Sequence, residues 1–205
     1  MRLFLTSNGF PASSPNSREE LLSLVKKPVG DIRVMFIPTA SSLEKNRSFV
    51  LIDRQEIEEM GVLSGNIHDR ELDQPITFEE LSQYDVIFVD GGNTFHLLQK
   101  VRESGFDTAI KEYLEKDLGV YVGVSAGTVL AGPNIEISTP WDDATAAALE
   151  NTRGLSLTGK AYCPHFQEKD SGALEPYRHQ GYTVKELRDG EAMMFDGAEG
   201  KLIVN

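Results

Sequence analysis

A single cysteine in 205 residues, Cys163, rules out an internal disulfide, and a reducing compartment is the natural expectation. Positive charge is scarce. Twenty Lys and Arg stand against 32 Asp and Glu, for a net charge of −12, which argues against nucleic acid or an anionic membrane as a partner. Long apolar runs are missing as well. The stretch Met1-Arg2-Leu3-Phe4-Leu5 is too short for a signal-peptide core, and no run has the length that spans a bilayer. A cytoplasmic protein is expected. No Gly-x-Gly-x-x-Gly and no complete Gly-x-x-x-x-Gly-Lys-Ser/Thr loop is present, so a nucleotide site has no motif behind it. No His-Glu-x-x-His and no cysteine pair is present, so a metal has none either. No cofactor is therefore expected.

What the chain does have is alternation. Arg2–Thr6 reads as a strand closed by Ser7-Asn8-Gly9, followed by a loop over residues 11–17. Ser17 with Glu20 has the form of a capping box for a helix whose apolar side is Leu21, Leu22, Leu24 and Val25. Ile32–Ile37 reads as a strand covered on both faces, and Leu43–Met60 carries helical spacing. Val62–Ile67 is a weaker strand and Thr77–Leu81 a short helix. An apolar strand from Tyr84 runs into Asp90-Gly91-Gly92-Asn93-Thr94, and two helices follow, Phe95–Arg102 and Thr108–Lys116. Strand and helix in alternation predict an α/β fold, three-layered, with a mostly parallel, doubly wound, flavodoxin-like sheet. The length suits one domain over residues 1–205. Later segments read as strands at 135–138, 155–157 and 161–163, a short helix at 144–149, and a C-terminal hairpin of Ala192–Asp196 with Lys201–Val204.

The central stretch is Val120-Tyr121-Val122-Gly123-Val124-Ser125-Ala126-Gly127-Thr128. A short buried strand enters Gly-x-Ser-x-Gly, and a helix starts directly after it. That is the setting of a nucleophile elbow, with Ser125 exposed at the tip and the Ala126 N–H aimed at the same space. The competing role for Ser125 is a simple helix cap. A serine nucleophile needs a base. Of four histidines, His68 sits in a charged run, His96 on a helix and His179 in a polar stretch. His165 follows a short strand and a proline, where a strand end meets a loop, and is the favoured base. Asp142, Asp143, Asp196 and Glu199 are candidate acids. The glycines of Gly91-Gly92 let backbone N–H groups approach a bound group, and could complete an oxyanion hole with Ala126.

Gly91-Gly92-Asn93-Thr94-Phe95, Gly123-Val124-Ser125-Ala126-Gly127 and Pro164-His165-Phe166, in that order, resemble the peptidase E family of serine peptidases, which includes aspartyl dipeptidases and, more remotely, cyanophycinases. The resemblance implies a class I glutamine amidotransferase-like fold and cleavage of dipeptides or short peptides through a Ser–His–acid triad and an acyl-enzyme. It implies Ser125 as nucleophile, His165 as base, and Gly92 and Ala126 as oxyanion donors. For the acid, the cyanophycinase pattern points to Asp196 and the aspartyl dipeptidase pattern to Asp142, with Asp196 preferred. Arg178 stands near the place of the arginine that binds the substrate carboxylate in aspartyl dipeptidases. The resemblance permits a homodimer. The rival expectation is a small-ligand binding module, or an amidase, on the same fold.

Overall fold

The computed structural model describes residues 1–11 and 13–205. The loop expected over residues 11–17 includes Ala12, which lies outside them. Among the described residues the strands are β1 (Arg2–Thr6), β2 (Val34–Ile37), β3 (Ile67–Asp69), β4 (Val86–Val89), β5 (Val120–Val124), β6 (Lys160–Cys163), β7 (Thr183–Glu186), β8 (Ala192–Asp196) and β9 (Gly200–Ile203). The α-helices among them are α1 (Pro15–Val25), α2 (Ser48–Glu59), α3 (Phe78–Leu81), α4 (Thr94–Ser104), α5 (Phe106–Glu115), α6 (Ala126–Leu130) and α7 (Ser171–His179). The main sheet has the order β3-β2-β4-β5-β1-β8-β9. Its first five strands run parallel, and β8 and β9 form an antiparallel hairpin on the β1 edge. β6 and β7 pair separately, in parallel.

The parallel strands are apolar along their whole length because both faces are covered. Side chains alternate across the sheet. Leu3, Leu5, Met35, Ile37, Ile87, Val89 and Tyr121 pack with α4, α5 and α6. Phe4, Val34, Phe36, Val86, Phe88, Val120 and Val122 pack with α1 and α2. Two cores on one sheet make the three layers. No helix among the described residues is long and apolar enough to cross a membrane.

Several expected boundaries move. Ser17 is buried inside α1 rather than capping it, because Pro15 already fits the first helical turn. The helix expected over 43–60 starts later, as α2 from Ser48, and Leu43 instead closes a 3₁₀ turn, Thr39–Leu43. β3 starts where the strand expected at 62–67 ends. Residues 136–138 and 144–146 are single 3₁₀ turns, and 155–157 is irregular backbone bonded to 130–132. The spacing Gly154-x-x-x-x-Gly159-Lys160 leads into strand β6, not into a helix whose N–H groups could hold phosphate.

On the α2 side, Phe88 stacks on Phe36 at a centroid distance of 5.1 Å and meets Phe10 at 6.2 Å. Phe88 is buried in the centre of the sheet. Phe88→Ala is expected to cost about 3–5 kcal/mol of stability through lost burial and the cavity left behind. Denaturant titration measures it, and a loss below about 1 kcal/mol would mean that this core tolerates a hole that its packing does not suggest.

Candidate active site

The carboxyl ends of the parallel strands are where an open α/β sheet binds ligands. Ser125 stands there, at the end of β5, with φ 48° and ψ −107°, a sparsely populated conformation for a residue with a side chain. The surroundings hold it in place. Its N–H donates to Thr6 O at 3.2 Å, and its carbonyl accepts from Thr128 and Val129 N–H at 2.9 and 3.0 Å. The Thr128 hydroxyl is within 2.8 Å of Thr6 O and 2.7 Å of Gly123 O. The flanking glycines are needed for close approach. A Cβ on Gly127 would lie 2.1 Å from Val89 O, and one on Gly123 would lie 2.6 Å from Gly127 O. α6 can therefore turn back tightly onto β4 and β5 with the Ser125 side chain at the tip.

His165 follows β6 with φ 55°. Its N–H donates to Ser7 Oγ at 2.7 Å. On the ring, Nε2 lies 3.0 Å from Ser125 Oγ and Nδ1 lies 2.7 Å from Asp189 Oδ1. Ser7 Oγ donates to the same Asp189 oxygen at 3.0 Å. The turn that carries Asp189 is tied to the end of β1. Gly190 N–H donates to Asn8 Oδ1 at 2.7 Å, and Ser7 N–H donates to Glu191 O at 3.1 Å. The His165 and Asp189 side chains are 50% and 60% exposed, so their Coulomb attraction is screened and the bond chiefly fixes the ring's orientation. Hydroxyl, imidazole and carboxylate in series can generate a nucleophile and return its proton to a leaving group.

The expected acids sit elsewhere. Asp196 pairs in register with Arg2, at the amino end of β1, whereas Ser125 follows Val124, the partner of Thr6. Four residue steps of strand, about 13 Å, separate the two ends. Asp196 is bonded there to Lys26 at 2.9 Å, which lowers its pKa. Asp142 lines a cavity beside Ser125, but its Oδ2 accepts from Thr94 N–H at 2.9 Å, at the start of α4. Asp143 is taken by the Thr145 N–H and hydroxyl at 2.9 and 2.6 Å. Arg178 is held by Glu175 at 2.6 Å and by Glu186, and it lines neither cavity beside Ser125. The sequence did carry a signal for Asp189. It stands in Asp189-Gly190, a turn pair directly before β8. β8 runs antiparallel to β1, so its beginning, not its end, lies beside Ser125. Ser7 was readable only as the close of a strand.

Two cavities open on either side of the Ser125–His165 pair. The smaller, about 150 Å³, is lined by Gly92, Ala126, Val129, Ile137, Trp141 and Tyr162 among others. The larger, about 480 Å³, is lined by Asn8, Glu44, Phe49, Ile52, Asp53 and Glu56 among others. Among the described residues, neither wall contains a Lys or Arg. In the Gly91-Gly92 turn, Gly91 N–H is taken by Asp90 Oδ1 at 2.7 Å and Asn93 N–H by Ala40 O at 2.9 Å. Gly92 N–H meets no protein acceptor among the described residues. No cluster of three or more metal-ligating side chains occurs among them either.

The chain belongs to peptidase family S51, whose family model matches residues 3–203. Among curated relatives, the uncharacterized peptidase Lmo0363 of Listeria monocytogenes is 35% identical over 136 residues, 65% of each chain. The match thus spans just under two thirds of that relative's length. A probable alpha-aspartyl dipeptidase of Drosophila melanogaster is 29% identical over 83% of this chain and 72% of its own. Peptidase E of Escherichia coli is 27% identical over 89% and 74%. A crystal structure of a candidate peptidase E protein from L. monocytogenes superposes with a TM-score of 0.79, at 27% identity, over 98% of this chain and 96% of that one.

Gly92 has φ 133°, and a Cβ there would lie 2.3 Å from the Ala40 carbonyl. Gly92→Ala must therefore move the turn away from Ala40. If the Gly92 N–H holds an oxyanion, as proposed below, the expected result is a fall of on the order of 10²–10³ in kcat for Ser125-dependent hydrolysis, the range for losing one oxyanion donor. Steady-state kinetics beside a melting curve checks this, and an unchanged kcat in a folded variant would remove Gly92 from the site.

Proposed function

We propose that this chain is a serine peptidase acting on dipeptides or other short peptides, with Ser125 as nucleophile, His165 as base and Asp189 as the acid that orients it. The observation that carries the proposal is the line Ser125 Oγ, His165 Nε2, His165 Nδ1, Asp189 Oδ1, with contacts of 3.0 and 2.7 Å. Membership of family S51 supports the same reaction. His165 takes the Ser125 proton as Oγ attacks the scissile carbonyl, the Gly92 and Ala126 N–H groups hold the developing oxyanion, and His165 then gives the proton to the leaving amine. Water resolves the acyl-enzyme by the same route. Asp189 replaces Asp196 and Asp142 in this scheme because neither of those meets His165.

The lining of the two cavities shapes the substrate expected. A pocket for an N-terminal Asp needs a cation to offset the desolvated carboxylate, and neither wall supplies one. Val129, Ile137, Trp141 and Tyr162 make the smaller cavity suited to an apolar side chain. The proposal is therefore a dipeptidase that prefers an apolar residue to Asp.

The test is hydrolysis of Asp-Leu, Ala-Leu, Leu-Leu and Lys-Leu by the native chain and by Ser125→Ala, His165→Ala and Asp189→Asn. The apolar dipeptides should be cleaved ahead of Asp-Leu. Ser125→Ala and His165→Ala should each lose on the order of 10⁶ in kcat, and Asp189→Asn on the order of 10⁴. Asp189→Asn at full activity would move the acid elsewhere. No cleavage that depends on Ser125 would sink the peptidase reading.

A further inference from the structure

Behind the Gly91-Gly92 turn lies a pair of buried carboxyl groups that the reaction scheme does not use. Asp90 is fully buried and Asp53, on α2, is 9% exposed. Asp90 Oδ1 accepts from Gly91 N–H, but Asp90 Oδ2 is buried without a donor. No N–H or hydroxyl among the described residues donates to Asp53. The two carboxyls lie within hydrogen-bond reach of each other. Two carboxylates offer only acceptors, and side by side with so little water at hand they repel. One proton between them removes both difficulties, because a protonated carboxyl is a donor.

We infer that Asp53 and Asp90 share one proton, Asp53 donating it to Asp90, and that this bond makes Asp53 a positioning residue for the Gly91-Gly92 turn beside Ser125. The mechanical link is short. Asp90 grips Gly91 N–H, and a Cβ on Gly91 would sit 3.3 Å from Ser125 Cβ, so the turn rests against the serine. Holding Asp90 holds the register of Gly92 N–H relative to Ser125 Oγ. Burial, and then the bond to Asp90, push the Asp53 carboxyl up to about 9. The other charged groups facing the pair are few. Glu56, on α2, is itself pushed up by burial, although Phe10 N–H donates to it at 2.6 Å and Arg18 pulls it back. Arg47, ahead of α2, favours ionised Asp90, and His165 favours ionised Asp53. None of them is bonded to Asp53.

The inference concerns the oxyanion side of the proposed peptidase and rests on that reading for its effect on rate, but not for the proton itself. Two measurements keep the parts separate. The first is the rate at which a fluorophosphonate labels Ser125 from neutral to alkaline pH, in the native chain, Asp53→Leu and Asp53→Asn. The phosphoryl oxygen needs the same donors as a peptide oxyanion. Asp53→Leu should label on the order of 10² more slowly. Asp53→Asn keeps a donor toward Asp90, and should restore most of that loss. The native rate should fall as pH rises through about 9, and the Asp53→Asn rate should not show that fall. Equal loss in both variants, or the same alkaline fall in the native chain and Asp53→Asn, would overturn the inference.

The second measurement is Tm against pH, which needs no activity. Asp53 has a raised pKa in the fold, so between 3.8 and about 9 the folded chain keeps a proton that the unfolded chain has lost. Stability from this group therefore falls as pH rises through that window and levels off above it. Asp53→Asn lacks this fall, so its Tm should gain on the native Tm steadily across the window. Parallel Tm curves would overturn the shared proton even if Ser125 proved unreactive.

Discussion

The end of β1 is the constraint on which the site depends. Thr6 O accepts from both Ser125 N–H and the Thr128 hydroxyl, so one carbonyl fixes the serine turn. The next residue, Ser7, accepts from His165 N–H and donates to Asp189. Asn8 then accepts from Gly190 N–H. Three successive residues thus position three chain segments that are distant in sequence. They can do so because β1 lies between β5 and β8, parallel to one and antiparallel to the other. Moving β1 by one residue would reverse its two faces and break both cores as well as the site. The same register that packs the sheet therefore also aligns Ser125 with His165 and Asp189.

Much of the fold could be read from the sequence because its cause is local. Continuous apolar runs at β2, β4 and β5 report strands covered on both faces, and the turns after β4 and β5 carry glycine where backbone must pass close to backbone. The tight turn at Ser125 could be read for the same reason, since Gly123 and Gly127 stand on either side of it. Residues 135–138 and 155–157 read as strands and 144–149 as a helix, and none of the three forms. The backbone bonds of this region run to loop carbonyls such as those of Ala131, Gly132 and Thr152, and such pairing has no period in the sequence. Asp196 lies away from His165 for a topological reason. Both Asp189-Gly190 and Asp196-Gly197 flank β8, and only the direction of β8 decides which of them reaches His165. Strand direction on the far side of β1 is a property of the whole sheet, with no local trace.

The charges of the site sort by what surrounds them. Asp189 stands largely in water, and its geometry is set by Ser7 and by the turn into β8. Asp142 and Asp143 are used as connectors, one at the first turn of α4 and one at the turn into residues 144–146. Arg178 is neutralised by Glu175 and Glu186 before it can serve a substrate. With 32 acidic residues against 20 basic ones, most cations are already paired across the surface. An acid-binding pocket in this chain would have required one left free at the cavity wall.

Asp53 and Asp90 are the exception to that sorting, since they are acids that burial holds largely away from water. Replacing two such carboxyls by apolar groups of similar size is often neutral or stabilising in a protein core, so packing alone does not call for them. Their location does. The Gly91-Gly92 turn has no side chains of its own with which to anchor itself, and Gly92 cannot gain one without meeting Ala40. Asp90, the residue before the turn, is the first position able to grip it, and Asp90 in turn needs a donor that the backbone there does not provide. A neutral Asp53 supplies one from α2, on the α1–α2 face of the sheet. The turn is thereby tied to a helix as well as to the strand that delivers it.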